Sequence, residues 1–386
     1  MSSRLLVVAA AVVATAAVCV PAASASRFVQ VGLFDDAQFN YGDPDKVYPM
    51  LKQLNTQLIR VSLLWGGPNG VAKRRPVNPM NPNDPAYDWS VYDRTVVYAQ
   101  QYGMKVVFSI IGTPPWANAA AGVNVKPRSA LDLERFAVAA ARRYSGSFAA
   151  RDGRTLPAVR QWLAWSEPNN PAFLRPQYRN VRGKDVIQSA IDYAQICNAI
   201  VKGIRKTSIG AQKVACGVTG PRGNNNPNSS RPAVSPLPFL RAMKRAGAKG
   251  FDAYAHHPYY GAPRETPSTP PPPGIHGNAP TAITLGNINL LIREVTRLYG
   301  SKRIWVTEYG YQTNPPDRIF GVSWANQAKY LTQAYGIVRR NPRIDMFLWF
   351  LLRDERRLVD EGWQSGLLSA SGTRKPAFAA FQKLRG

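Results

Sequence analysis

Eight short runs with strand preference alternate with eight helical stretches along this 386-residue chain, and no other feature limits the available folds as strongly. The predicted strands are Phe28–Phe34, Gln57–Leu64, Lys105–Ile111, Val159–Trp165, Lys213–Val218, Phe251–His256, Arg303–Thr307 and Asp345–Leu351. The predicted helices lie near Val47–Leu54, Trp89–Tyr102, Ala130–Tyr144, Asp185–Lys206, Pro238–Ala246, Ile283–Tyr299, Trp324–Arg340 and Pro376–Leu384. Ser129 with Asp132 three residues on signals a capping box for the third helix, and Gly103, Gly247 and Gly300 are placed to stop helices just before strands. Eight β-then-α units in this length predict an α/β fold, a single (β/α)8 TIM barrel. An open doubly wound sheet is the rival. It fits less well, because the first strand ends Gly32-Leu33-Phe34-Asp35-Asp36 without a glycine-rich nucleotide turn.

The βα loops are uneven. Those after strands two, five and six, Gly66–Asp88, Gly220–Pro236 and Gly261–Pro280, are long and rich in Pro, Asn and Gly. Long loops at one rim are how a barrel builds a binding face. The Pro-rich stretch Pro267–Gly274 reads either as a stiff lip over that face or as a disordered insertion.

The first 25 residues read as a secretory signal, leaving 26–386 as the barrel domain. Arg4 supplies the positive start, Leu5 to Val20 the apolar core, and Ala23-Ser24-Ala25 the cleavage site. That run is short for a membrane span, so the expectation is a secreted chain with none. Cys197 and Cys216 then remain, on neighbouring elements, as two buried thiols or as a disulfide. Without histidines at ligand spacing they do not make a zinc site. Lys and Arg number 49 against 23 Asp and Glu, a net charge of +26. The cations are scattered over helix surfaces with no dense basic tail, which favours an anionic cell wall or acidic glycan over nucleic acid. An arginine-rich coding bias with no partner is the bland alternative.

Two glutamates occupy matching contexts. Gln161-Trp162-Leu163-Ala164-Trp165-Ser166-Glu167-Pro168-Asn169 and Ile304-Trp305-Val306-Thr307-Glu308-Tyr309-Gly310 each run from a strand into a carboxylate and then a turn. Either motif alone is an ordinary turn. Together, on two strands of one barrel, they supply the nucleophile and the acid/base of a retaining glycosidase, which sit roughly 5 Å apart. Trp65, Trp116, Tyr259 and Trp349, at strand ends, offer apolar faces to sugar C–H groups. Asp35, Asp36, Asp354 and Glu355 are competing carboxylates, and His256 and His276 weaker candidates.

The stretch Trp162-x-x-Trp165-Ser166-Glu167-Pro168-Asn169 resembles the Trp-x-x-Trp-Asn-Glu-Pro-Asn signature of clan A glycoside hydrolases, nearest families five and thirty-nine. The resemblance implies that Glu167 on strand four is the acid/base and Glu308 on strand seven the nucleophile, with no metal or organic cofactor. It further implies that Arg60 lies beside the nucleophile and that His257-Pro258-Tyr259 brings a tyrosine to it. It also implies that Trp349 floors the subsite where cleavage occurs. Ser166 departs from the clan's asparagine, which contacts the sugar 2-hydroxyl. A serine hydroxyl can donate or accept there but reaches less far.

The function expected is hydrolysis of O-glycosidic bonds in a poly- or oligosaccharide through a covalent glycosyl-enzyme. A transglycosylase on the same fold and a non-catalytic sugar- or wall-binding barrel are the alternatives.

Overall fold

A computed structural model of the chain describes residues 28–207, 210–272, 280–356 and 362–385. The signal segment, His276 and the end of the Pro-rich stretch lie outside the described residues. Ten strands run β1 (Gln30–Phe34), β2 (Leu58–Leu64), β3 (Lys105–Ile111), β4 (Gln161–Ala164), β5 (Tyr178–Val181), β6 (Lys184–Ile187), β7 (Lys213–Thr219), β8 (Ala253–His256), β9 (Arg303–Tyr309) and β10 (Ile344–Phe350). Eight of them close a parallel barrel in the order β1-β10-β9-β8-β7-β4-β3-β2, with helices around it. This is the (β/α)8 fold, with strand positions close to those expected. Strands β5 and β6 form a separate exposed hairpin, turned by Arg182 and Gly183, both at positive φ. It occupies the start of what reads in sequence as the fourth helix, which begins only at Gln188.

Side-chain alternation sorts the barrel residues into two layers. Leu58, Val107, Leu163, Ala253, Ala255, Trp305, Met346 and Leu348 fill the interior. Their neighbours Ile59, Val61, Phe108, Trp162, Tyr254 and Phe347 point outward into the layer beneath the helices. Because both faces of each strand are covered, the strands are predominantly apolar, as parallel strands in this position are, with Arg60, Ser109 and Thr307 among the buried polar exceptions.

Gly103, Gly247 and Gly300 end their helices at φ 75°, 84° and 77°. The third long helix does begin at Ser129, but the expected side-chain cap does not form there; Asp132 instead faces Arg75 at 3.7 Å. Cys197 and Cys216 form a disulfide that ties helix Gln188–Arg205 to β7. A crosslink closing a loop of this size stabilises by about 3 kcal/mol. Among the described residues no helix is long and apolar enough to cross a membrane.

Candidate active site at the barrel mouth

Glu308 reaches the mouth through a break in strand register. Val306 pairs with Phe347 and Tyr309 with Trp349, with an irregularity between them. Val306 and Tyr309 both face outward, so the extra residue lets Thr307 and Glu308 turn to the inside. Re-aiming one side chain is what bulges near active sites commonly do. Glu167 arrives differently. Strand β4 stops at Ala164, and Trp165 and Glu167 take left-handed backbone at φ 71° and 37°. Such conformations cost of order 1–3 kcal/mol each and persist only where the surroundings hold them. Here Trp165 N–H donates to Ile110 O at 2.9 Å and Glu167 N–H to Val218 O at 2.8 Å. Asn169 anchors the turn from below, accepting from Gly220 N–H and donating to Val234 O, both at 2.8 Å.

The two carboxylates and His257 converge: one ligand-capable atom from each lies within 4.8 Å of the others. Two carboxyls this close across one barrel mouth can both reach a single bond, one to attack and one to supply a proton.

Their surroundings differ. Glu308 accepts from Arg60 Nη1 at 2.5 Å on one oxygen and from the Tyr259 hydroxyl at 3.1 Å on the other. Fully buried Arg60 also donates to Thr307 O at 3.2 Å and to Ser166 Oγ at 3.1 Å, and stands 4.3 Å from the centre of the Phe34 ring. Among the described residues no Lys or Arg pairs directly with Glu167. Burial pushes its carboxyl up from the ordinary range, against the opposing hydrogen bond from Asn170 and the charge of Arg60. Burial drives His257 down to about 3, so its ring is neutral. Arg60 Nη1 sits 3.2 Å from His257 Nε2, and a guanidinium only donates. The ring proton is therefore assigned to Nδ1, which donates to Glu167 Oε1 at 3.0 Å. Asn170 donates to Oε2 at 3.1 Å. Each oxygen of Glu167 accepts one bond and retains a second lone pair for the proton of a general acid.

Glu167, His257 and Glu308 are also a donor set that could hold a cation. The fit is poor: His257 presents N–H there rather than a lone pair, and Arg60 occupies Glu308.

The mouth opens into a cleft of about 640 Å³ that includes Arg60, Ser166, Glu167, Tyr259 and Glu308. His257 is buried directly beneath it. Three expected sugar platforms are elsewhere. Trp349 has outward parity, is fully buried and donates from Nε1 to Ser365 O at 2.9 Å; its neighbour Phe350 lines the cleft instead. Trp65 also points outward, fully buried against Phe136 at 5.8 Å and edge-on to Trp116. Trp116 donates to Ala72 O at 2.9 Å under the Arg75 guanidinium, away from the cleft.

Of the competing carboxylates, Asp35 is structural. It accepts from the backbone of Gln38, Leu352 and Arg353, and burial raises it to about 7. Asp354 is buried against Lys375 at 2.7 Å. Asp36 and Glu355, like Asp35, line the cleft. His256 pins a loop through Thr219 and Ile283 O. Sequence reasoning missed Asn170, Gly220, Phe350 and Trp363. Only Asn170 had a local signal, lying one turn beyond the glutamate.

Among known proteins, a model described as a family of unknown function (DUF5722) matches residues 140–385. The chain belongs to this family. No curated protein matches the DUF5722 chain. Solved structures of similar fold include a glucosidase from Croceicoccus marinus, 14% identical with a TM-score of 0.63, covering 92% of this chain and 66% of that one. A family 39 glycoside hydrolase from Bacteroides cellulosilyticus is 18% identical with a TM-score of 0.59, covering 92% and 62%. A monomeric β-xylosidase from Caulobacter crescentus is 15% identical with a TM-score of 0.59, covering 95% and 71%. The DUF5722 chain thus spans less than two thirds of the first two, and at these identities the likeness establishes the barrel fold.

Proposed function

We propose that this chain is a retaining glycoside hydrolase, with Glu308 as nucleophile and Glu167 as acid/base. The observation that carries the reading is the pair of carboxylates within 4.8 Å at the barrel mouth, one held by a guanidinium and a phenol, the other desolvated. A Glu308 oxygen attacks the anomeric carbon as the glycosidic C–O bond breaks. The leaving oxygen takes the bond electrons and the proton of Glu167. Glu167, now a carboxylate, removes a proton from water, which attacks the same carbon and returns Glu308. Arg60 keeps the nucleophile in place, and Tyr259 releases its bond as the oxygen becomes an ester.

The long loops at the rim support an extended poly- or oligosaccharide substrate. Export is part of the proposal too: the leader pattern at Arg4, Leu5–Val20 and Ala23-Ser24-Ala25 supports it, and a disulfide is at home in an oxidising compartment. The positive surface suits retention at an anionic wall.

Glu308→Ala should abolish turnover of polysaccharides and aryl glycosides, and azide should restore it with inverted product. Glu167→Ala should slow glycosides with poor leaving groups by about 10²–10⁴-fold while sparing activated ones. Equal sensitivity of the two variants to leaving-group ability would overturn the assignment.

A further inference from the structure

The end of the barrel opposite the cleft carries two further cavities. A parallel barrel gathers its strand starts on one face, and β1, β3, β4 and β7 begin with Gln30, Lys105, Gln161 and Lys213. Lys105, Gln161 and Lys213 each stand two residues before a side chain that fills the interior, Val107, Leu163 and Ala215. Alternation therefore turns all three toward the barrel axis, as its lowest layer. They open onto a cavity of about 560 Å³ that Arg160 also lines. Beside it a second cavity of about 550 Å³ takes in Lys52, and Phe28, Gln30 and Lys105 line both. Together they make one basal groove, with Phe28 on the divide and 79% exposed.

The charge of this groove is one-sided. Lys52, Lys105, Arg160 and Lys213 line it, and the one carboxylate among its described lining residues, Asp345, is held by Arg303 Nε at 2.8 Å. Residues 1–27 and 208–209 adjoin these walls in sequence and lie outside the described residues; they contain no Asp or Glu. The walls also hold acceptors. Gln161 donates from Nε2 to Gln30 Oε1 at 2.7 Å, and among the described residues neither its own Oε1 nor the buried Thr56 Oγ1 has a hydrogen-bond partner. Buried polar atoms without a partner in the protein call for one outside it.

This combination selects a sugar chain that carries carboxylates. The cations meet its charge, the unpartnered oxygens meet its hydroxyls, and the exposed ring meets the C–H face of a pyranose. An inorganic polyphosphate would use only the first of these. A single-stranded nucleic acid would use a row of aromatic platforms, and Phe28 is the one exposed ring among the described residues lining the groove. We propose that the base of the barrel is a non-catalytic binding site for an acidic polysaccharide, seated across Phe28 and held by Lys52, Lys105, Arg160 and Lys213. This rests on the reading of retention at an anionic wall and gives it a place; it does not depend on hydrolysis. Attachment at the strand starts leaves the mouth at the strand ends open to substrate.

Calorimetric titration of the intact protein with oligogalacturonate at low salt reads this binding and requires no turnover. Lys105→Gln, Arg160→Gln and Lys213→Gln together should weaken it about tenfold. Removing the same charge from the exposed face of helix Trp324–Arg340, by Lys329→Gln, Arg339→Gln and Arg340→Gln, should cost no more than about twofold. Phe28→Ala alters no charge; it should weaken oligogalacturonate about fivefold and leave inorganic polyphosphate unchanged. As a single exposed side chain, it keeps the test decisive should the basal triple variant fold poorly. Equal losses in the two triple variants overturn the site and leave only diffuse retention by net charge. Unchanged affinity in the basal triple or in Phe28→Ala overturns it as well. So does tighter binding of polyphosphate, or of oligothymidylate, than of oligogalacturonate of equal charge.

Discussion

Replacing Gly220 by alanine sets a methyl group against the carboxyl of Glu167, the proposed acid/base, without changing that residue. The added Cβ would lie 2.9 Å from Glu167 Cδ and Oε2 and 3.0 Å from Oε1. Ordinary contact begins at about 3.5 Å, so the carboxyl must retreat by about 0.6 Å. Gly220 is not among the glycines at positive φ, so alanine suits the backbone and the strain falls on the side chain. Retreat stretches the bonds from His257 and Asn170 that aim the proton. A displacement of about 1 Å can cost about 10²-fold, so roughly 10–30-fold is expected here. The loss belongs in kcat/KM for poor leaving groups, which need the proton, and should nearly vanish for a dinitrophenyl glycoside. The melting temperature should move by no more than about 2 °C. Equal losses on both substrates, or no loss on either, would refute the placement of Glu167 by Gly220.

Ser166 Oγ accepts from Arg60 Nη2, so its own proton is free for the sugar 2-hydroxyl. Ser166→Ala should lower kcat and kcat/KM together by several-fold, the value of about 1 kcal/mol in the transition state; unchanged kinetics would remove it from the site. Burial drives both His256 and His257 from the ordinary 6.5 down to about 3. Below pH 6.5 the unfolded chain takes up protons that the folded chain refuses. The stability tied to each neutral ring is therefore present above pH 6.5 and lost as pH falls toward 3, by about 1.4 kcal/mol per pH unit per histidine. Comparing unfolding of wild type and His256→Gln from pH 7.5 to 5 isolates one of them, because raised carboxylates such as Asp35 act in the opposite sense in both proteins. A difference that does not change with pH would contradict a neutral buried His256.

What was legible in the sequence follows from which forces are local. The barrel strands stand out because burial on both faces makes them continuous apolar runs, and Glu167 and Glu308 because each interrupts such a run at its end. The same property hides orientation. Asp345–Leu351 is apolar on both sides, so nothing local says that Phe350 rather than Trp349 faces in. Trp65 was more tractable: five residues from inward-facing Arg60, it has the opposite parity and belongs outside. The register break that turns Glu308 inward depends on pairing with β10 and leaves no trace in its own strand. The hairpin Tyr178–Ile187 carries a plain Arg-Gly turn, overshadowed by the helical period that follows it. Asp36, opening the helix Asp36–Tyr41 after β1, and Trp363, on the loop after β10, lie far apart in the chain; they share a cleft because those strands pair to close the barrel.

The two glutamates show how little their own motifs say about their roles. Both lie at the carboxyl-terminal rim of the barrel, both are largely buried, and both sit beside a turn. The difference traces to Arg60, two strands from one and three from the other in the closed order. Its Nη1 is spent on Glu308 and on the lone pair of His257 Nε2. That second contact obliges the imidazole to carry its proton on Nδ1, aimed at Glu167. On the proposed mechanism, one buried guanidinium thus offsets the charge of the nucleophile, holds the histidine in the tautomer that orients the acid, and reaches the serine beside that acid. Lysine at position 60 would keep the charge but not the planar fork, and the two glutamates would lose the asymmetry on which a nucleophile and an acid depend.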